Sequence, residues 1–148
     1  MFKTKDAAAE FAREYSSFLD TIWNPKTEWT EALFDGRNAK DMLHVFQGQA
    51  CEGISAALKH WNPMKGAFVQ HQTLGVDLET HTENMVVYKH YGLFKTFEGK
   101  DMFGVARWIV NVNNDGLVTR EVAVMDQKYH NAMMAVMGAF AEKNGIKM

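Results

Sequence analysis

The chain has 148 residues, 47% hydrophobic and 23% charged, with a net charge of −2 and acids and bases interspersed, which fits one globular domain large enough for its own core. There is no basic tract for nucleic acid, no apolar run long enough to span a membrane, and no apolar signal-peptide core in residues 1–11, so the expectation is a cytoplasmic protein that engages neither nucleic acid nor membrane. The single cysteine, Cys51, excludes an intrachain disulfide and a multi-cysteine metal site.

Residues 4–22 read as an amphipathic helix behind a Thr4 cap. Ala8, Phe11, Ala12, Tyr15, Phe18, Leu19 and Ile22 recur at steps of three and four and share one face. Asn24-Pro25 ends it. Residues 27–34 predict a short second helix capped by Thr27, and Asp35-Gly36 a turn. Residues 41–47 alternate, with Met42, His44 and Phe46 on one side, and predict a short strand. Ile54, Ala57, Leu58 and Trp61 then give a third helix, stopped at Asn62-Pro63.

Four long strands follow, at about 67–79, 84–96, 102–112 and 117–126, joined by turn-forming segments that include Asn114-Asp115-Gly116. Short connections require antiparallel pairing, and strands of this length must twist and curl. Residues 127–143 predict a last helix with the stripe Tyr129, Met133, Val136, Met137 and Phe140, ended by Asn144-Gly145. Ten methionines, four of them in the last sixteen positions, suit a pocket lid, a subunit interface or a loosely specified core.

This order of elements resembles the NTF2-like, or SnoaL-like, α+β cone, also called the cystatin-like fold. The likeness rests on Glu52-Gly53-Ile54 opening the third helix, on the strand pair from Asp77 to Phe94, and on Asn114-Asp115-Gly116-Leu117-Val118 leading to Asp126. It covers roughly residues 5–126. The resemblance implies a single α+β domain with a cavity between the concave sheet face and the helices. Relatives include ketosteroid isomerase, scytalone dehydratase, limonene epoxide hydrolase, polyketide cyclases and non-enzymatic association domains, and fold alone does not choose among them.

Period-2 alternation puts Val86, Tyr88, His90, Gly92 and Phe94 on one face of the second long strand. It does the same for Met102, Gly104, Ala106, Trp108, Val110 and Val112 on the third, and for Val118, Arg120, Val122, Val124 and Asp126 on the fourth. By comparison with the family these are the concave sets. On the first long strand His71 and Asp77 share a face. The opposite faces are also apolar, which points to a sheet covered on both sides and hence to a homodimer.

Five residues are candidates for acid–base chemistry. Tyr15 stands on the first helix, where the isomerases carry an oxyanion-stabilising tyrosine; the alternative is a core tyrosine. His44, nine residues before Gly53, stands about where they hold a general-base aspartate; the alternative is a structural histidine. Their acid on the third long strand is replaced by Trp108. Asp126 occupies the place of an epoxide-hydrolase aspartate, but Tyr88-Lys89-His90 lacks that family's Arg and second Asp, so Asp126 is also read as the cap of the last helix. His71 could pair with His90, Tyr88 or Asp126, as scytalone dehydratase uses histidines and tyrosines; the alternative is bonding to backbone or solvent. Leu19, Ile54, Leu58, Trp61, Tyr88 and Trp108 are the expected walls. No metal-ligand spacing, phosphate loop, nucleophile elbow or dinucleotide fingerprint occurs. The expectation is therefore a small hydrophobic or aromatic ligand and cofactor-free isomerisation, dehydration or cyclisation, or else a non-catalytic binding or association module.

Overall fold

A computed structural model describes all 148 residues. Helix α1 (Lys5–Ile22) starts where Thr4, in extended conformation, accepts the Ala7 N–H on its Oγ1 at 3.1 Å. Its inner face buries Ala8, Ala12 and Ser16. The second helix expected from Thr27 does not form. Only a single 3₁₀ turn follows, Glu31–Phe34, preceded by Thr30 without a side-chain cap. The physical reason is the tie of Trp29, whose Nε1–H donates to Ile22 O at 2.7 Å while its ring packs edge-on against Trp23. That contact holds the segment across the end of α1, and eight residues cannot nucleate a helix against it.

Strand β1 (Asn38–Phe46) turns back into β2 (Gln49–Glu52), a short strand that the sequence did not announce. Gln47 and Gly48 both have positive φ, 48° and 81°, the requirement of a two-residue hairpin turn. Helix α2 (Ile54–Trp61) leads through a 3₁₀ segment, Asn62–Ala67, into β3 (Phe68–His81), β4 (Met85–Thr96), β5 (Asp101–Val112) and β6 (Val118–Met125), and α3 (Gln127–Asn144) closes the chain. The sheet has six strands in the order β2-β1-β6-β5-β4-β3. All neighbours are antiparallel except β1 and β6, which run parallel, so the four expected strands form part of a larger mixed sheet within an α+β cone.

Irregularities in pairing overturn two expectations about facing. Strand β3 shifts register between Thr73 and Gly75, and a one-residue slip sends later side chains to the other face. His71 therefore lines the interior, whereas Asp77 points outward and accepts the Tyr91 hydroxyl at 2.8 Å. Val76 and Leu78 pack inward instead. On β6 the partner shift between Asn111 and Val112 has the same effect. Val118 is inward as expected, but Glu121, Ala123 and Met125 take the concave face rather than Arg120, Val122 and Val124. Arg120 bonds Asn111 at the surface and Val124 is 48% exposed.

Two apolar clusters result, one under α1 around Tyr88 and Val110, the other under α3 around Phe68, Phe94 and Met133. Trp108 packs against both. Helix α3 is fixed at its start by Asp126, whose Oδ1 accepts Tyr129 N–H at 2.7 Å, and at its end by Gly145 in the left-handed region. The Tyr129 ring lies on Gly104, where a Cβ would come within 2.1 Å of it. Glycine is thus what allows α3 to seat on β5.

Candidate active site

Between the two clusters the concave face encloses a cavity. Its volume is about 160 Å³, of the order of the roughly 150 Å³ cavity that admits benzene, so it has room for a small aromatic molecule. Twenty of its 27 lining residues are hydrophobic, and none is Lys or Arg. The expected walls, Leu19, Ile54, Leu58, Trp61, Tyr88 and Trp108, all line it.

One polar cluster is built on Glu121 of β6. Tyr15 donates its hydroxyl to Glu121 Oε2, and Asn38 Nδ2 donates to the Tyr15 oxygen at 2.9 Å. His44 Nδ1 lies 2.7 Å from Glu121 Oε1, and Trp61 Nε1 lies 3.0 Å from His44 Nε2. An indole nitrogen only donates, so His44 Nε2 presents its lone pair and its proton sits on Nδ1, facing the carboxylate. The network thus assigns His44 as neutral imidazole. Burial, reinforced by the Glu121 charge, raises the Tyr15 pKa well above its ordinary value, so the phenol stays protonated.

A second cluster is built on Asp20, in the last turn of α1. Its Oδ1 lies 2.6 Å from His71 Nδ1 and accepts Thr73 N–H at 2.9 Å. Thr73 Oγ1 lies 3.1 Å from His90 Nε2 and 3.1 Å from Asp20 Oδ1. The His71 and His90 rings stack at 5.1 Å, and Phe94 meets His71 edge-on at 4.5 Å. His71 Nδ1–H therefore points at the carboxylate, and Nε2 makes no hydrogen bond within the protein. Gly92 leaves room for that ring, since a Cβ there would lie 2.6 Å from His71 Nε2. Burial lowers the His71 pKa despite Asp20, and burial with the neighbouring His71 lowers that of His90 to about 3. Both rings are neutral free bases at pH 7.

Four of the five candidates thus line one cavity: Tyr15 joins His44 through Glu121, and His71 joins His90 through Asp20 and Thr73. Asp126 is not among them, because its carboxylate is spent on capping α3. Glu121, Asp20, Asn38 and Thr73 escaped the sequence reading. Asp20 left a signal, a carboxylate four residues after Ser16 on the inner edge of α1. Glu121 left none, because the β6 alternation pointed it outward. No group of three or more His, Cys, Asp or Glu is placed to hold a metal ion.

No protein-family model matches the sequence, and no curated protein does. Solved structures do match. An NTF2-like protein from Anabaena variabilis superposes with a TM-score of 0.64 at 14% identity, covering 86% of this chain and 96% of that one. A candidate SnoaL-like polyketide cyclase from Jannaschia sp. gives 0.61 at 17% identity, covering 86% and 90%. TerC, co-crystallised with polyporic acid, gives 0.64 at 13% identity, covering 89% and 99%. The chain is an α+β protein of the NTF2-like fold.

Proposed function

We propose that the chain binds a small hydrophobic or aromatic molecule in this cavity and moves a proton on it without a cofactor, as an isomerase, dehydratase or cyclase does. The observation that carries this reading is a pair of histidines on the walls of one apolar cavity, His44 and His71, each held by a carboxylate, Glu121 on the wall and Asp20 behind it. His71 is the base. Its bare Nε2 takes the proton from a carbon next to a carbonyl, the C–H electron pair moves into the enolate, and Asp20 stabilises the imidazolium that forms. The same proton then returns to another carbon, giving isomerisation, or goes to a departing hydroxyl, giving dehydration. TerC's crystallisation with polyporic acid and the Jannaschia neighbour's naming as a cyclase support an organic ligand for this fold. The absence of any helix long and apolar enough to cross a membrane, together with a free thiol, fits a cytoplasmic setting.

Exchange of the α-protons of 2-tetralone in D2O, followed by proton NMR, tests the reading. The expected result is saturable acceleration that drops by about 10²-fold in His71→Gln, within the range of general-base catalysis. Binding without acceleration would instead make the chain a binding module. A specific observation also favours a dimer. The outer sheet face carries the cross-strand apolar pairs Leu93–Phe103, Tyr91–Val105 and Val87–Ile109, with Phe103 57% exposed. We propose that a second copy covers it, and sedimentation equilibrium showing a monomer would refute this.

A further inference from the structure

Two stacked histidines, His71 and His90, line the cavity, but only one of them meets a carboxylate directly. His71 Nδ1 lies 2.6 Å from Asp20 Oδ1, whereas His90 Nε2 lies 3.1 Å from the Thr73 hydroxyl. Thr73 connects the two. Its backbone N–H, free because β3 is an edge strand, donates to Asp20 Oδ1 at 2.9 Å. Its Oγ1 lies 3.1 Å from the same oxygen and 3.2 Å from Ser16 O. Asp20 needs such a hold. It sits in the last turn of α1 with its side chain 36% exposed, and it does not line the cavity. A charged carboxylate so placed turns toward water unless donors keep it inward. The same hydroxyl settles the tautomer of His90. A hydroxyl has one proton to give, and the oxygens of Ser16 and Asp20 can only accept. The Thr73 proton goes to one of these two, the carboxylate being the stronger acceptor. A lone pair of Oγ1 then faces His90, so Nε2 is the ring nitrogen that donates, and Nδ1 is left bare. His71 has the opposite arrangement, with its proton on Nδ1.

We propose that Thr73 is the positioning residue of the base: its N–H and hydroxyl aim Asp20 at His71, and its hydroxyl takes up the Nε2 proton of His90, so that of the two stacked rings only His71 is backed by the carboxylate. This role rests on His71 being the base, as proposed above. When His71 takes a proton from the ligand, positive charge forms beside an Asp20 already fixed for it, and no rearrangement is needed at that moment. His90 stays a neutral neighbour, because its Nε2 proton is committed to Thr73.

Two variants of the full-length protein separate positioning from packing. Thr73→Val keeps the branched shape and the backbone N–H and removes only the hydroxyl, whereas Thr73→Ser keeps the hydroxyl. With 2-tetralone in D2O, Thr73→Val lowers kcat for α-proton exchange by about 10-fold at unchanged KM, and Thr73→Ser stays within about threefold of wild type. Long-range nitrogen–proton spectra at pH 7.5 show His90 protonated on Nε2 in wild type and in Thr73→Ser. In Thr73→Val the His90 pattern changes, because its acceptor is gone, while that of His44 does not. A wild-type His90 protonated on Nδ1 overturns the inference, and that result needs no variant to fold. A wild-type kcat in Thr73→Val overturns it as well, as does a loss in Thr73→Ser equal to that in Thr73→Val, which would mark packing rather than the hydroxyl. In each of these cases the acid–base reading stands. If wild type itself leaves 2-tetralone unexchanged, that reading fails and the role of Thr73 falls with it.

Discussion

Gly104→Ala probes how α3 closes the cone. A Cβ at this position would lie 2.1, 2.2 and 2.3 Å from three ring carbons of Tyr129, where ordinary carbon contacts are about 3.5–4.0 Å. The ring must therefore retreat by roughly 1.5 Å by that comparison. It cannot do so freely, because Tyr129 sits in the first turn of α3, with its N–H bonded to Asp126. Overpacking of this kind costs about 1–3 kcal/mol, and partial loss of the buried Tyr129 ring adds to it. Lower entropy of the unfolded chain returns less than about 1 kcal/mol. The net expectation is a loss of about 2–4 kcal/mol by urea denaturation, read as a lower midpoint at unchanged slope. Gly138→Ala is the control. It lies within α3 with nothing within 4 Å of the added methyl, so it gains about 0.5–1 kcal/mol. A Gly104→Ala protein within about 0.5 kcal/mol of wild type, the range of an ordinary surface change, would refute the seating of α3 on β5.

Three further outcomes are expected. Glu121→Leu leaves the Tyr15 hydroxyl and His44 Nδ1–H buried without their acceptor; it costs about 2–4 kcal/mol in urea denaturation, and an unchanged midpoint would mean that the cluster does not form. Asp20→Asn slows 2-tetralone exchange by about 10- to 100-fold and shifts its pH profile while leaving ketone affinity unchanged; an unchanged profile would mean that Asp20 does not orient His71. The third concerns pH. The folded-state pKa values of His71 and His90 lie below the ordinary histidine value of 6.5, so below that pH the unfolded chain binds more protons. Their contribution is complete above about pH 6.5 and declines as pH falls, for His90 down to about 3. Stability then drops by up to about 1.4 kcal/mol per pH unit for each group. His90→Gln flattens the curve between pH 6.5 and 5, and identical curves would contradict the buried, neutral ring.

The fold was legible where local signals were strong and unopposed. The α1 stripe, Gly53 before α2, Asn114-Asp115-Gly116 and the α3 ends each express one dominant preference, and the structure realises them. The β1–β2 hairpin was not legible, because its turn uses Gln47 at positive φ, a conformation that nothing in a glutamine advertises. The site was legible on the second half of β1, Leu43–Phe46, and on β4, where alternation runs without interruption and placed His44 and His90 inward. It was lost on β3 beyond Thr73 and on β6, because one displaced residue inverts every later side chain and no glycine or proline marks the slip on β6. That inversion hid Glu121, the residue that ties Tyr15 to His44.

Long-range nitrogen–proton spectra of the imidazole rings at pH 7.5 test the acid–base site most directly. The expected pattern for His71 is a protonated Nδ1, held by Asp20, beside a bare Nε2 that shifts when a ketone binds. His44 should show the same tautomer, with Trp61 on its Nε2. A His71 protonated on Nε2, or on both nitrogens, at this pH would contradict its assignment as the base.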